Sequence, residues 1–95
     1  MYKIIKFYSD SCAPCKAMSP IFDDVAEEMS DNEDIVFGST NIGHGDNRAV
    51  AQSFGVRGIP AFVVIKDHQA IGMKNGAMPK EVLKDFITKT IEEAK

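Results

Sequence analysis

Two cysteines separated by two residues lie where an apolar segment gives way to an amphipathic helix. They are Cys12 and Cys15, the only cysteines among the 95 residues, and the apolar segment ends at Tyr8. The first turn of a helix carries unpaired backbone N–H groups and the positive end of the helix dipole, and both favour a thiolate over a thiol. We therefore expect Cys12 to be reactive. Cys15, one turn further in, can close a disulfide with it.

A purely structural or metal-binding pair is less consistent with the sequence. A disulfide that closes so short a loop restrains the unfolded chain by only about 2 kcal/mol. Zinc requires four ligands, and the remaining soft candidates, His44 and His68, are remote in sequence and not at zinc-finger spacing. We therefore expect no metal site within the chain. The sequence leaves open an iron–sulfur cluster shared between two chains.

Composition excludes several classes of function. The formal net charge is −3, and no basic block is present, so we expect neither nucleic acid nor an anionic membrane as a partner. No apolar run approaches the ~20 residues of a membrane span. The chain enters a strand at once, which predicts no signal peptide, and two cysteines are too few for a secreted disulfide scaffold. The expected compartment is the reducing cytoplasm.

The segment 2–8 predicts a central strand, because apolar residues lie on both of its faces. Lys6 breaks this pattern and should share a face with Ile4 and Tyr8. The helix after Cys12 carries one continuous apolar stripe with helical spacing: Met18, Ile21, Phe22, Val25, Ala26 and Met29. Pro20 lies inside this helix and is expected to kink it.

Three further strands and two helices follow. We predict strands at 35–37, 61–65 and 69–73, with 38–47 as strand end and loop. Asp67-His68 forms a tight turn, so the last two strands are antiparallel. The short helix between the second and third strands should be capped by Asp46 or Asn47, bury Val50, Ala51 and Phe54, and stop at Gly55. The last helix, with Pro79 in its first turn, should bury Val82, Leu83, Phe86, Ile87 and Ile91.

The resulting order, βαβα–ββα, predicts an α/β fold in a single domain spanning 1–95. The first βαβ unit should form a right-handed parallel crossover, and the last two strands should add to it as an antiparallel hairpin. The expected architecture is a four-stranded mixed sheet with helices on both faces.

This order and several motifs resemble the thioredoxin family over nearly the whole chain. Residues 11–16, Ser-Cys-Ala-Pro-Cys-Lys, resemble the family's W-C-G-P-C-K, and Pro20 matches the proline five residues after the second cysteine. Residues 54–60 resemble the segment leading to the family's cis-proline, and 75–77 resemble the loop before its last helix. The family's usual first strand and helix are missing, so the chain resembles a trimmed, minimal thioredoxin-like fold of glutaredoxin size.

The resemblance implies a thiol–disulfide oxidoreductase that reduces protein disulfides. Cys12 would be the attacking thiolate and Cys15 the resolving cysteine. Pro60 would be cis beside the pair, with Ile59 offering backbone groups to an extended substrate and Gly76 lining the same groove. No bound cofactor is implied. Electrons would come from NADPH through thioredoxin reductase and pass from a monomer to proteins such as ribonucleotide reductase.

The chain departs from the family pattern around the cysteines. Ser11 replaces a tryptophan, and Lys6 stands where the family usually has a buried aspartate. The family's partner lysine on the next strand is replaced, with Thr40 or Asn41 nearby. A charged Lys6 would favour the thiolate, although its side chain could instead extend to water. The residues expected to tune the pair are Lys6, Tyr8, Ser11, Pro14 and Lys16.

Two alternative functions stay open at this point. A glutathione-dependent, glutaredoxin-like enzyme fits the small size. The Gly58-Ile59-Pro60 run, in place of the glutaredoxins' T-V-P, and the lack of their Gly-Gly-Asp element argue against it. The other alternative is a module that binds proteins through a thioredoxin-like surface without redox chemistry. Such a module would keep its function in a Cys12→Ser variant.

Overall fold

The computed structural model describes residues 1–95. Four strands and three helices alternate along the chain in the predicted order: β1 (Tyr2–Tyr8), α1 (Ala13–Glu28), β2 (Ile35–Asn41), α2 (Asn47–Ser53), β3 (Ala61–Lys66), β4 (Gln69–Asn75) and α3 (Lys80–Glu93). The strands form one mixed sheet in the order β2-β1-β3-β4. This confirms the predicted α/β thioredoxin-like architecture.

The sheet combines a parallel pair with an antiparallel hairpin. β1 is parallel to β2, and the crossover between them contains α1. β3 runs antiparallel to both β1 and β4. The β3–β4 turn has positive φ at both Asp67 (50°) and His68 (73°), as in a type I′ turn, whose twist matches that of the paired strands.

The two faces of the sheet bury two separate cores, because successive side chains of a strand point to opposite faces. On one face, Ile4 and Val64 pack with Phe22 of α1 and Leu83 of α3. On the other face, Phe7, Ala61, Val63 and Ile65 pack with Ala51 of α2 and with Ile42 and Val56. Helices therefore cover both faces, as the sequence predicts.

The second strand is longer than predicted. Residues 38–41, expected as strand end and loop, continue β2 and pair with β1 as far as Tyr8↔Asn41. A Cβ at Gly38 would lie 3.3 Å from Ile5 Cδ1, so a glycine fits this close contact. Polar residues are tolerated in β2 because it is an edge strand with one side open to water. β4 likewise extends past Met73 to Asn75.

Several details of the helices differ from the predictions. Val82 is 42% exposed, because it lies one position before Leu83 and so points away from the buried stripe of α3. Val50 is also exposed, whereas Ala51 is buried. Asp46 occupies the N-cap of α2, but its side chain makes no capping hydrogen bond. Gly55, with φ of +88°, follows α2 as predicted. No helix is both long and apolar enough to span a membrane.

Candidate active site

The cysteine pair lies at the N-terminus of α1. Cys12 is the N-cap residue in extended conformation, and its Sγ accepts a hydrogen bond from the Cys15 backbone N at 3.2 Å. Cys15 lies inside the first turn, where Pro14 is tolerated because the first helical N–H groups have no partner. The two residues form a disulfide, with Cα atoms 5.2 Å apart.

The two sulfur-bearing side chains differ in access to solvent. Cys15 is 2% exposed, whereas Cys12 is half-buried. An incoming disulfide can therefore reach Cys12 but not Cys15. A thiolate at the Cys12 position would accept a hydrogen bond from the Cys15 backbone N–H and would be stabilised by the positive end of the α1 dipole.

Hydrogen bonds hold the loop between β1 and α1 against the end of β2. The Cys12 N donates to the Ser9 carbonyl oxygen at 3.3 Å. Asn41 Nδ2 donates to Asp10 Oδ1 at 3.1 Å, and Asn41 Oδ1 accepts from the Gly43 N at 2.8 Å. Asn41 is one of only two buried polar or charged residues. The sequence indicated it only as a neighbour of Lys6, and no local pattern reveals its contact with Asp10.

Pro60 begins β3 at the end of the sheet where β1 finishes and the cysteine loop starts. The register pairs Phe7 with Ala61, which places Pro60 close to the carboxyl end of β1. The Ile59–Pro60 peptide bond is cis, as predicted, and Pro60 is fully buried. The Gly76 N donates to the Pro60 carbonyl oxygen at 2.8 Å. The structure thus joins Gly76 to Pro60 and places both, with Ile59, at this end of the sheet.

Lys6 lies under α1 and is 4% exposed, so its side chain does not extend into solvent. Its Nζ donates to Ser19 Oγ at 2.9 Å and lies 5.2 Å from the Tyr8 ring centroid and 5.3 Å from that of Phe22. Burial lowers the pKa of Lys6 below its ordinary value, and the charge of Asp23 partly opposes this.

The residue beside Lys6 on the next strand differs from the prediction. The β1–β2 register pairs Lys6 with Ser39, whereas Thr40 and Asn41 are opposite Phe7 and Tyr8. The error arose because the predicted second strand stopped at Phe37, so the sequence alone did not fix the register.

The other predicted tuning residues lie within a few positions of the cysteine pair along the chain. Ser11, Pro14 and Lys16 are exposed, and Tyr8 is half-buried. The Ser11 Oγ lies 3.5 Å from the Ser9 Oγ. No group of three or more His, Cys, Asp or Glu side chains is arranged to hold a metal ion.

The fold and the site together define a class: an α/β protein whose redox group is a cysteine pair at a helix N-terminus. The family model described as Thioredoxin matches residues 2–89. The chain is 36% identical over 88 residues to a thioredoxin of Haemophilus influenzae, covering 93% of this chain and 78% of that protein. It is 37% identical over 84 residues to a thioredoxin of Buchnera aphidicola, covering 88% and 73%.

A third relative, thioredoxin 1 of Synechococcus elongatus, is 31% identical over 86 residues, covering 90% of this chain and 77% of that protein. The chain therefore belongs to the thioredoxin family of protein-disulfide oxidoreductases. Thioredoxins carry no prosthetic group and use only the cysteine pair as their redox group. Membership implies exchange with a thioredoxin reductase and with disulfide substrates in general.

Proposed function

We propose that this chain acts as a cytoplasmic protein-disulfide reductase, with Cys12 as the attacking thiolate and Cys15 as the resolving cysteine. The observation that carries the proposal is the difference in access within the pair: Cys12 is half-buried at the helix N-cap, and Cys15 is buried beneath it. The Cys12 sulfur is therefore accessible to a protein disulfide, whereas the Cys15 sulfur can react only with Cys12.

The reaction transfers two electrons in two exchanges. The Cys12 thiolate attacks one substrate sulfur, the substrate S–S bond breaks, and a mixed disulfide forms as one substrate thiolate leaves and takes up a proton. Cys15 then loses its proton and attacks Cys12 Sγ, which releases the second substrate thiolate. The substrate ends as two thiols and the protein as the Cys12–Cys15 disulfide. A thioredoxin reductase would return it to the dithiol with electrons from NADPH.

Ile59, Pro60 and Gly76 are proposed to hold the substrate chain beside Cys12. Ile59 lies outside the strands and makes no backbone hydrogen bond, so its N–H and C=O groups are free to pair with an extended peptide. Pro60 has no N–H, and its carbonyl oxygen already accepts from Gly76. Pairing at Ile59 would therefore fix the substrate backbone without competing with the fold.

Lys6, Tyr8, Ser11, Pro14 and Lys16 are proposed to tune the pair. Lys6 binds Ser19, which follows Cys15 by four residues and so shares its face of α1. A charged ammonium there would favour a thiolate at the cysteine pair. Ser11, Pro14 and Lys16 form the exposed rim that a partner protein would meet.

The proposed setting follows the family. We expect residues 1–95 to work as one monomeric domain, with ribonucleotide reductase among the substrates. These expectations rest on the likeness to thioredoxins.

Two serine variants test the proposed roles. The Cys15→Ser variant should form a stable mixed disulfide with a disulfide-linked peptide, because the attack by Cys12 succeeds and its resolution does not. The matched Cys12→Ser variant should form none, and both should lose catalytic turnover. Mass spectrometry of each reaction reports the adduct. A Cys12→Ser variant that traps the peptide, or that retains turnover, would overturn the assignment.

A further inference from the structure

A cavity of about 560 Å³ opens on the face of the sheet covered by α2, next to the start of the loop that leads to the cysteine pair. Ser9 lines one part of it, and the Ser9 carbonyl oxygen accepts the hydrogen bond from the Cys12 N. Ile59, the proposed substrate-pairing residue, lines another part. The volume of the cavity lies within the range of about 300–1,000 Å³ that is typical of ligand pockets. A substrate paired with Ile59 would therefore have this cavity within reach of its neighbouring side chains.

Both arginines of the chain, Arg48 and Arg57, line this cavity. Each is exposed, and neither forms an ion pair or a side-chain hydrogen bond. All three ion pairs of the protein use lysines that lie on α3. The chain has 14 acidic residues and a net charge of −3, yet two guanidinium groups without an ion-pair partner line the same cavity.

Two acidic residues are close in sequence to residues that line the cavity, Asp10 beside Ser9 and Asp46 two positions before Arg48, but neither forms an ion pair with an arginine. Asp10 accepts a hydrogen bond from Asn41, and Asp46 occupies the N-cap position of α2 with no capping hydrogen bond from its side chain. Gln52 adds an exposed amide to the cavity lining. The cavity is therefore a cationic site with additional hydrogen-bonding capacity, and no carboxylate of this chain occupies it.

We propose that this cavity, which we call the arginine cavity, binds a carboxylate side chain that flanks the disulfide of the substrate. A guanidinium presents two parallel N–H donors whose spacing matches a carboxylate, so each arginine can bind Asp or Glu in bidentate geometry. The inference rests on the proposed reductase function and defines its substrate class. Preferred substrates are protein disulfides with an Asp or Glu within a few residues of the attacked cysteine.

The test compares three disulfide-linked peptides that differ only at one residue beside the attacked cysteine, which is Glu, Gln or Lys. Reduced protein is mixed with each peptide, and the second-order rate of peptide reduction is measured at low ionic strength. The Glu peptide should react roughly fivefold faster than the Gln peptide, the factor that a single exposed ion pair supports. The Lys peptide should be slowest, and added salt should reduce the differences.

Arginine variants test the residues themselves. Arg48→Gln and Arg57→Gln should each reduce the ratio of the rate for the Glu peptide to the rate for the Gln peptide. Lys95→Gln, which removes one positive charge at the far C-terminus, should keep the full preference. The comparison of peptides on the unmodified protein needs no variant, so a misfolded variant would not obscure the result.

The outcomes separate this inference from the proposed function. Equal rates for the three peptides would overturn the carboxylate assignment while leaving the reductase function in place. No reduction of any peptide would contradict the reductase function itself. Glutathione disulfide also carries carboxylates and serves as a fourth probe. If Arg48 and Arg57 affect the reduction of glutathione disulfide but not of the Glu peptide, the arginine cavity does not select protein substrates with a flanking Asp or Glu, and the proposal is wrong.

Discussion

Replacing Lys6 with methionine should stabilise the protein. Lys6 is 4% exposed, and its ammonium group has one hydrogen-bonding partner, Ser19 Oγ, although it has three donors. Its lowered pKa means that the surroundings disfavour the charged form relative to water, even with the opposing charge of Asp23. Methionine has similar length and no charge, and its sulfur can contact the rings of Tyr8 and Phe22.

The expected gain in free energy of unfolding is about 1 kcal/mol at pH 7, the low end for replacing buried charged groups with apolar ones. It is at the low end because Ser19 loses a hydrogen bond, which offsets about 1 kcal/mol of the gain. For a domain of this size, the corresponding increase in Tm is roughly 5 °C.

The gain should also depend on pH in a defined direction. Below the lowered folded-state pKa, Lys6 is charged in both the folded and unfolded chain, and its full cost is present. As the pH rises through that pKa towards 10.5, the ordinary value, the folded protein releases the proton first and the cost disappears. The stability difference between Lys6→Met and the unmodified protein should therefore narrow over that interval.

Urea unfolding of the oxidised proteins at several pH values measures this difference. Lys3→Met is the matched control, because Lys3 lies on the same strand but is exposed, and its effect should stay within about 0.5 kcal/mol. Ser19→Ala should destabilise the unmodified protein by about 1–2 kcal/mol and have less effect in the Lys6→Met background. The reasoning would be refuted if the Lys6→Met variant were less stable than the unmodified protein. It would also be refuted if the difference in free energy of unfolding between the two proteins stayed constant up to pH 10.5.

Three further predictions concern the site and its support. Lys6→Ala should raise the thiol pKa of Cys12 because it removes a positive charge, and ultraviolet absorbance of the thiolate measures this; an unchanged thiol pKa would end the electrostatic role. Glu28 bridges Lys80 and Lys84, which lowers its pKa to about 2 from 4.5, so its contribution to stability is present above pH 4.5 and is lost as the pH falls towards 2. Glu28→Gln should therefore lower Tm at neutral pH and low salt. An equal decrease in Tm at high salt would contradict the ionic explanation. Leu83→Ala, at a fully buried position, should lower the free energy of unfolding measured in urea by about 2–5 kcal/mol. Val82→Ala, at an exposed position, should lower it by less than about 0.5 kcal/mol. Similar losses in the two variants would contradict the packing of α3.

Local patterns were sufficient to predict most of the fold. The 3.6-residue spacing of Met18, Phe22 and Val25 indicates one buried helix face, and all three are buried. The Asp67-His68 turn links two predicted strands and predicts their antiparallel pairing, which the register confirms. In both cases the signal lies within a few residues and depends little on the remainder of the chain.

The errors lie where tertiary contacts override local patterns. Residues 38–41 are polar and include a glycine, but pairing with β1 keeps them in an edge strand. The register that places Ser39 beside Lys6 follows from that pairing and from no local signal. Val82 and Leu83 were both predicted to be buried, yet α3 presents only Leu83 of the two to the core.

Local spacing alone predicts the site only at the cysteine pair, whereas Ile59, Pro60 and Gly76 were predicted from the resemblance to the thioredoxin family. The Cys12–Cys15 spacing and the strand-to-helix junction indicate a dithiol directly. The arginine cavity could not be predicted, because it joins Ser9 to Arg48 and Arg57 from separate segments. The partner of Lys6 was missed for the same reason: Ser19 is 13 residues away and reaches Lys6 only when α1 packs on β1.

The most direct test of the central claim is the equilibrium reduction potential of the Cys12–Cys15 pair in a thiol redox buffer. A protein-disulfide reductase of the thioredoxin type should have a value near −270 mV, at about which its dithiol form can donate electrons to most exposed protein disulfides. A value at or above roughly −200 mV would contradict the proposed function. The pair would then be poised to accept electrons from substrates rather than to supply them.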